Sequence, residues 1–397
     1  IMPSTLSVIT TSFSGEERGK AIGVWVGVAG GGAIVGLFGT AFLLNYYSWH
    51  SFFALNLVLA SIALLGTLRV IPESREGGAG ALDWTGGVLS VIAVGSLVFG
   101  IIEGPERGWR DALSAGGIAL GLAFFALFVR WELRREHPLL DPRLLRIRGF
   151  SAGAFAIMVQ FFCQFGFIFV GLQYLQYVAG FTAWQATTRL LILPFVMLPA
   201  SRIAGRLTAT VPQKKLGAAG AAVFAAGMFT FSTMTAEFNL WHFWAGIALM
   251  AGGMAFSAVP ATTAITASLP QAKQGVASAV NDVSRELGSA VGIAVMGSAL
   301  NATYRSHLAP ALAQVPSEFA ERLQRSVAFV SIDPAVIVAQ YPQAQPLLGM
   351  WDQLVAAGRA AFTAGMQSAL AIAGATALVA AIVVAVLAPA QVTRQVD

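Results

Sequence analysis

The chain has 397 residues, of which 56% are hydrophobic and 11% charged. A soluble domain carries roughly 25% charged residues, so this sequence has too few charges to cover a water-facing surface. The formal net charge is +5, and the basic residues sit in short segments between apolar runs, which suits orientation in a membrane and excludes a nucleic-acid partner.

A helix that crosses a bilayer needs roughly 20 mostly apolar residues. Residues 1–13 are apolar and lack a positive leader, and they read as the end of a helix whose start lies upstream. Full spans are expected at 21–44, 49–70, 84–102, 113–129, 150–174, 184–203, 216–235, 241–264, 276–302 and 362–387. The fold class is therefore an all-α integral membrane bundle of about ten full transmembrane helices plus a partial one. The short alternating segments of a membrane β-barrel do not occur.

Lys and Arg concentrate in one set of alternate loops, among them Arg18, Lys20, Arg69, Arg75, Arg130, Arg148, Lys273 and Arg394. That set is expected to be cytoplasmic, which puts the C-terminus inside a multi-pass protein of the cell membrane. The segment 130–148 is basic and broken by Pro138 and Pro142, as a linker between bundles would be. On the outer side, 317–330 has the pattern of a short amphipathic helix after Pro316, with a solvated loop as the alternative.

Polar groups in lipid face a bundle interior or an aqueous cavity. Gln160 and Gln164 lie one turn apart, as do Gln173 and Gln176, with Tyr174 alongside. They are candidates for a substrate pathway or for hydrogen bonds between helices. Asn281 opens the span 276–302 and joins the pathway candidates. Asp282 and Arg285 lie one turn apart and, with Arg206, Lys214 and Lys215, are candidates for a cytoplasmic gate; the alternative for the 282–285 pair is an ion pair that snorkels to the headgroups. Phe161 and Phe165 suit a greasy pocket or plain packing. Glycines recur four apart at 23/27/31, 32/36, 117/121 and 288/292, a spacing that lets helices approach closely.

Cys163 is the single cysteine, and the histidines lack ligand spacing, so neither a disulfide nor a metal site is expected. The sequence has no phosphate-binding loop ending Gly-Lys-Ser/Thr, no H-E-x-x-H and no G-x-S-x-G. A secondary transporter fits better than an ATP-driven pump or a membrane enzyme, and no cofactor is called for.

Several segments carry a resemblance. They are Met2-Pro3-Ser4-Thr5-Leu6-Ser7, Gly15-Glu16-Glu17-Arg18-Gly19-Lys20-Ala21, Asp83-Trp84-Thr85-Gly86, Tyr174-Leu175-Gln176 with Leu193-Pro194, and Leu287-Gly288-Ser289-Ala290-Val291-Gly292-Ile293-Ala294. The sequence resembles the fourteen-helix drug:proton antiporter branch of the major facilitator superfamily, the EmrB/QacA type. The resemblance implies proton-coupled efflux of a small lipophilic substrate from the bilayer. It also implies a division into 1–71 (a remnant of the N-terminal helix bundle), 72–149 (an inserted helix pair and basic linker) and 150–397 (a six-helix C-terminal bundle with a long outer loop, 303–361). Gly32, Gly36 and Gly39 fall on the helix that matches the family's antiporter motif. Leu37, Thr40 and Ala41 stand where that motif has a proline and two glycines, and Ala209 and Pro212 depart from the second cytoplasmic loop motif.

Overall fold

The computed structural model describes residues 5, 6, 8, 9, 12, 13, 15–70, 83–135, 138, 140–270, 273–313, 315–332 and 334–390. Met2, Pro3, Ser4, Ser7, Arg75 and Arg394, which entered the expectations above, lie outside the described residues. Every regular element among the described residues is helical. The helices are α1 (Gly15–Tyr46), α2 (His50–Val70), α3 (Trp84–Arg107), α4 (Ala112–Glu132), α5 (Arg148–Gln173), α6 (Ala183–Arg189) and α7 (Ile192–Leu207). They continue with α8 (Gln213–Ser232), α9 (Leu240–Ala267), α10 (Gln274–Leu308), α11 (Ser317–Arg325), α12 (Pro334–Gln340) and α13 (Trp351–Leu387).

Eight helical stretches among the described residues are long and apolar enough to cross a membrane. The remaining two expected spans, 21–44 and 276–302, lie on α1 and α10. The α10 helix falls short of that hydropathy because Asn281, Asp282, Arg285 and Glu286 interrupt its apolar run. Starts are fixed by side chains that satisfy otherwise unpaired N–H groups. Asp83 accepts from Gly86 N at 2.9 Å, Asp111 from Leu113 N at 3.0 Å and Asn239 from His242 N at 3.1 Å. Thr182 and Gln185 form a reciprocal capping box at α6.

The expected span 184–203 is two helices, α6 and α7. Pro194 explains the break. Its ring crowds the carbonyl of Leu190 and it offers no N–H to that carbonyl. The chain instead makes tight turns, Leu190 N to Thr187 O and Leu193 N to Leu190 O, both at 3.0 Å.

The helices α5, α6/α7, α8, α9, α10 and α13 pack as one bundle around a continuous apolar core. Glycines set its closest approach. At Gly288 and Gly292 an added Cβ would run into the carbonyl oxygens of Met158 and Phe162, so α10 lies directly on the α5 backbone. The α1 helix crosses α7 in the same way, with a Cβ at Gly23 only 2.7 Å from Ser201 O. The α3 and α4 helices pair through Gly100 and Gly117, and α3 leans on α10. The α2 helix touches the rest of the fold through α1 and is otherwise exposed.

The segment between α10 and α13 forms short helices among its described residues. The α11 helix buries Phe319 and Leu323, and the buried Tyr304 hydroxyl donates to Leu323 O at 2.8 Å. The amphipathic expectation for 317–330 resolves into α11 followed by a 3₁₀ turn, Val327–Ser331, and the segment packs on α13. The α13 helix starts at Trp351, earlier than the span boundary at 362, because Trp351 and Leu354 are buried against this cap.

Candidate functional site

Arg285 marks the site. It lies on α10, where an unshielded charge costs several kcal/mol in hydrocarbon. It is only 6% exposed, so it does not snorkel to the surface. Two aromatic faces receive its guanidinium: the Trp25 ring of α1 at 4.7 Å from Cζ and the Phe161 ring of α5 at 5.0 Å. Trp25 is itself oriented, because its Nε1 donates to Thr5 Oγ1 at 3.1 Å. Phe161 stacks on Phe165 at 5.9 Å between centroids. Asp282 sits one turn before Arg285 on α10, close enough for the opposite charges to stabilise each other. The three helices α1, α5 and α10 thus meet around one cation, an acid and a small aromatic cluster.

The amide side chains are divided between scaffold and seam. Gln160 is buried and its Nε2 donates to Met254 O on α9 at 3.1 Å. Asn281 is fully buried and its Nδ2 donates to Thr262 Oγ1, also on α9, at 3.1 Å. These bonds tie α5 and α10 to α9. Each leaves the acceptor half of the amide unused. Gln160 Oε1, Gln164 Oε1, Asn281 Oδ1 and Asp282 Oδ1 are all buried and find no donor among the described residues. Buried polar atoms are satisfied in the great majority of cases, so four such acceptors on two adjoining helices are notable. Gln164 follows Phe161 by one turn and so lies on its side of α5.

The structure does not bring the other candidates here. Gln173 bonds back to Phe169 O in its own helix, at 3.0 Å, and Gln176 is exposed. The Tyr174 hydroxyl donates to Thr235 O at 2.7 Å, a tie to the end of α8. A π-helical turn, Tyr174–Val178, begins between Gln173 and Gln176 and changes the spacing expected for that pair. Arg206 and Lys215 are exposed and Lys214 half-buried on the α7–α8 turn. Among the described residues no hydrogen bond or ion pair links them to Asp282 or Arg285. Gly32 and Gly36 are exposed and an added Cβ would meet nothing within 4 Å, while Gly39 faces Leu55 of α2. Trp25 is the member of the site that the sequence reading missed. Nothing in its local pattern, with Arg18, Ile22 and Val28 on neighbouring turns, set it apart.

Residues 1–293 match the family model described as Major Facilitator Superfamily. The chain belongs to the major facilitator superfamily. Within it, the chain is 30% identical over 337 residues to "Multidrug resistance protein Stp" of Mycobacterium tuberculosis, covering 83% of this chain and 62% of that protein. It is 30% identical over 392 residues to "Multidrug efflux pump LfrA" of Mycolicibacterium smegmatis, covering 97% and 75%. It is 28% identical over 388 residues to the "Tetracenomycin C resistance and export protein" of Streptomyces glaucescens, covering 96% and 71%. The chain therefore spans 62% of the length of the first of these relatives. The superfamily match includes α1, α5 and the first part of α10, so all three walls of the Arg285 seam lie within it.

Proposed function

We propose that the protein is a secondary active exporter in the cell membrane, driven by protons, that moves hydrophobic or amphipathic small molecules. The observation that carries this reading is the buried Arg285, with the half-buried Asp282 one turn before it, set against Trp25 and Phe161 where α1 meets the six-helix bundle. An ionisable pair inside a membrane bundle is expensive to keep and suits a proton-linked pathway. The names of the relatives, which speak of multidrug resistance and export, support the same substrate class. The lipid bilayer is its medium and the C-terminus is cytoplasmic. No enzymatic step and no nucleic acid takes part. Residues 1–71 belong with the N-terminal bundle of the superfamily, 72–149 are an inserted pair and linker, and 150–397 form the C-terminal half.

The chemistry follows from charge balance. With Asp282 ionised, its charge offsets that of Arg285 along α10, with the exposed Glu286 the next acid on that helix. A proton on Asp282 removes that offset and leaves the guanidinium to the two rings and to α1. The grip of α10 on α1 then depends on proton occupancy, which is what coupling requires. Gln164 and Phe161 offer the substrate an acceptor and an apolar face beside the same pair.

Binding of ethidium or tetraphenylphosphonium to the purified protein tests the placement. Gln164→Ala and Phe161→Ala are expected to weaken binding by about threefold to tenfold each, the size of one aromatic or hydrogen-bond contact. Unchanged affinity in both variants puts the substrate elsewhere. A second reading, a fold that exports one metabolite or does not transport, draws on Gly32 and Gly36 having nothing packed on them and on the departures at Leu37, Thr40 and Ala41. A protein that binds neither cation at all favours it.

A further inference from the structure

We infer that the linker after α4 is a docking surface for anionic phospholipid headgroups, built beside the α3–α4 pair. The inference is independent of the exported substrate.

The described residues of the linker are tied to one another and to α3. Asp83, at the start of α3, accepts from the Trp131 indole at 3.0 Å and lies 3.9 Å from Arg135, which stacks on the same indole at 4.4 Å. Glu132 is 1% exposed and accepts from Leu140 N at 3.2 Å. Arg143 donates to Leu133 O at 3.3 Å, and Asp141 caps the short helix Pro142–Arg146. The acids Asp83, Glu132 and Asp141 are thus engaged locally.

The cations face outward. Arg130, Arg134, Arg146 and Arg148 are exposed, with no hydrogen bond or ion pair among the described residues. Leu133 and Leu145, 41% and 56% exposed, stand among them. Above this surface α3 and α4 present exposed Val88, Val91, Leu122 and Phe125, so lipid surrounds the pair and headgroups are the nearest layer. Guanidinium forks suit phosphate, and the leucines suit the acyl boundary.

The test is native mass spectrometry of the full chain after equilibration with equal phosphatidylglycerol and phosphatidylcholine. Each arginine near an anionic surface is worth up to about fivefold. The protein is expected to retain phosphatidylglycerol severalfold over phosphatidylcholine. The triple variant Arg134→Gln, Arg146→Gln, Arg148→Gln is expected to lose that preference, and Lys20→Gln with Lys273→Gln to keep it. An unchanged ratio in the triple variant, or an equal loss in the lysine variant, overturns the inference. Should the triple variant not fold, phenylglyoxal labelling of the unaltered protein in nanodiscs decides. Arg134, Arg146 and Arg148 should be protected by phosphatidylglycerol but not by phosphatidylcholine, and equal labelling in both overturns the inference.

Discussion

Arg285 is held between two rings, and its replacement separates charge from shape. Lysine keeps the charge but loses the planar face that stacks on Trp25 and Phe161. Cation–π contacts of this kind are worth about 0.5–2 kcal/mol. Arg285→Lys is therefore expected to lower stability by about 1 kcal/mol in thermal unfolding in detergent. A double-mutant cycle with Trp25→Leu should show coupling of similar size. Additive single effects would mean that the ring does not hold the guanidinium. The acid and the cation were legible in the sequence from their one-turn spacing. Their aromatic partners were not, because Trp25 and Phe161 reach the pair from other helices, and no local pattern encodes that meeting.

Asp83 offers a pH-dependent prediction at the same scale. Its carboxyl lies below the usual carboxylate range, chiefly because it accepts from Gly86 N, with further help from the Trp131 indole and Arg135. A depressed acid contributes stability above its unfolded value, about 3.9, and loses it as pH falls through the folded value. Asp83→Ala is expected to cost about 1 kcal/mol at neutral pH, as for other lost N-caps. The gap between the two proteins in melting temperature should narrow as pH falls below about 4. A gap that stays constant down to the lowest pH at which the protein folds would remove the charge from the account.

Helices and their breaks differ in how well the sequence announces them. The ten apolar runs became helices because backbone groups in lipid have no other partner. The split between α6 and α7 was readable in principle from Pro194, but the apolar run continues through it and masked the break. The π-helical turn Tyr174–Val178 had no sequence signal, and it changed the spacing of the Gln173–Gln176 pair. Glycine spacing was informative in part. Gly23 and Gly288 bring backbones together, whereas Gly32 and Gly36 do not. Gly23→Ala is expected to destabilise by about 1–3 kcal/mol, because the methyl meets Ser201 O and the Gly205 backbone and cannot move aside. Gly32→Ala and Gly36→Ala should be neutral or stabilise by up to about 1 kcal/mol, the gain in helix propensity. Thermal unfolding of the three variants compares them directly. Equal loss in all three would mean that Gly32 and Gly36 pack against something.

At the scale of the molecule, composition alone excluded a water-facing globule, and the family match agrees with the resemblance read from its motifs. The shape of the candidate site was the part that composition and motif left open. It depends on α1 crossing α7 at Gly23, on α10 lying against α5 at Gly288, and on the side chains that those crossings bring into reach. In the proposed mechanism the same crossings let a proton on Asp282 change what α10 offers to α1. The central claim is gradient-driven export through this seam, and ethidium efflux from cells expressing the protein tests it most directly. Efflux should stop when an uncoupler collapses the proton gradient, and Asp282→Asn, at equal membrane abundance, should lose its dependence on the gradient. No gradient-dependent efflux in a well-expressed protein, or an Asp282→Asn variant that responds to the uncoupler as the unaltered protein does, would contradict the account.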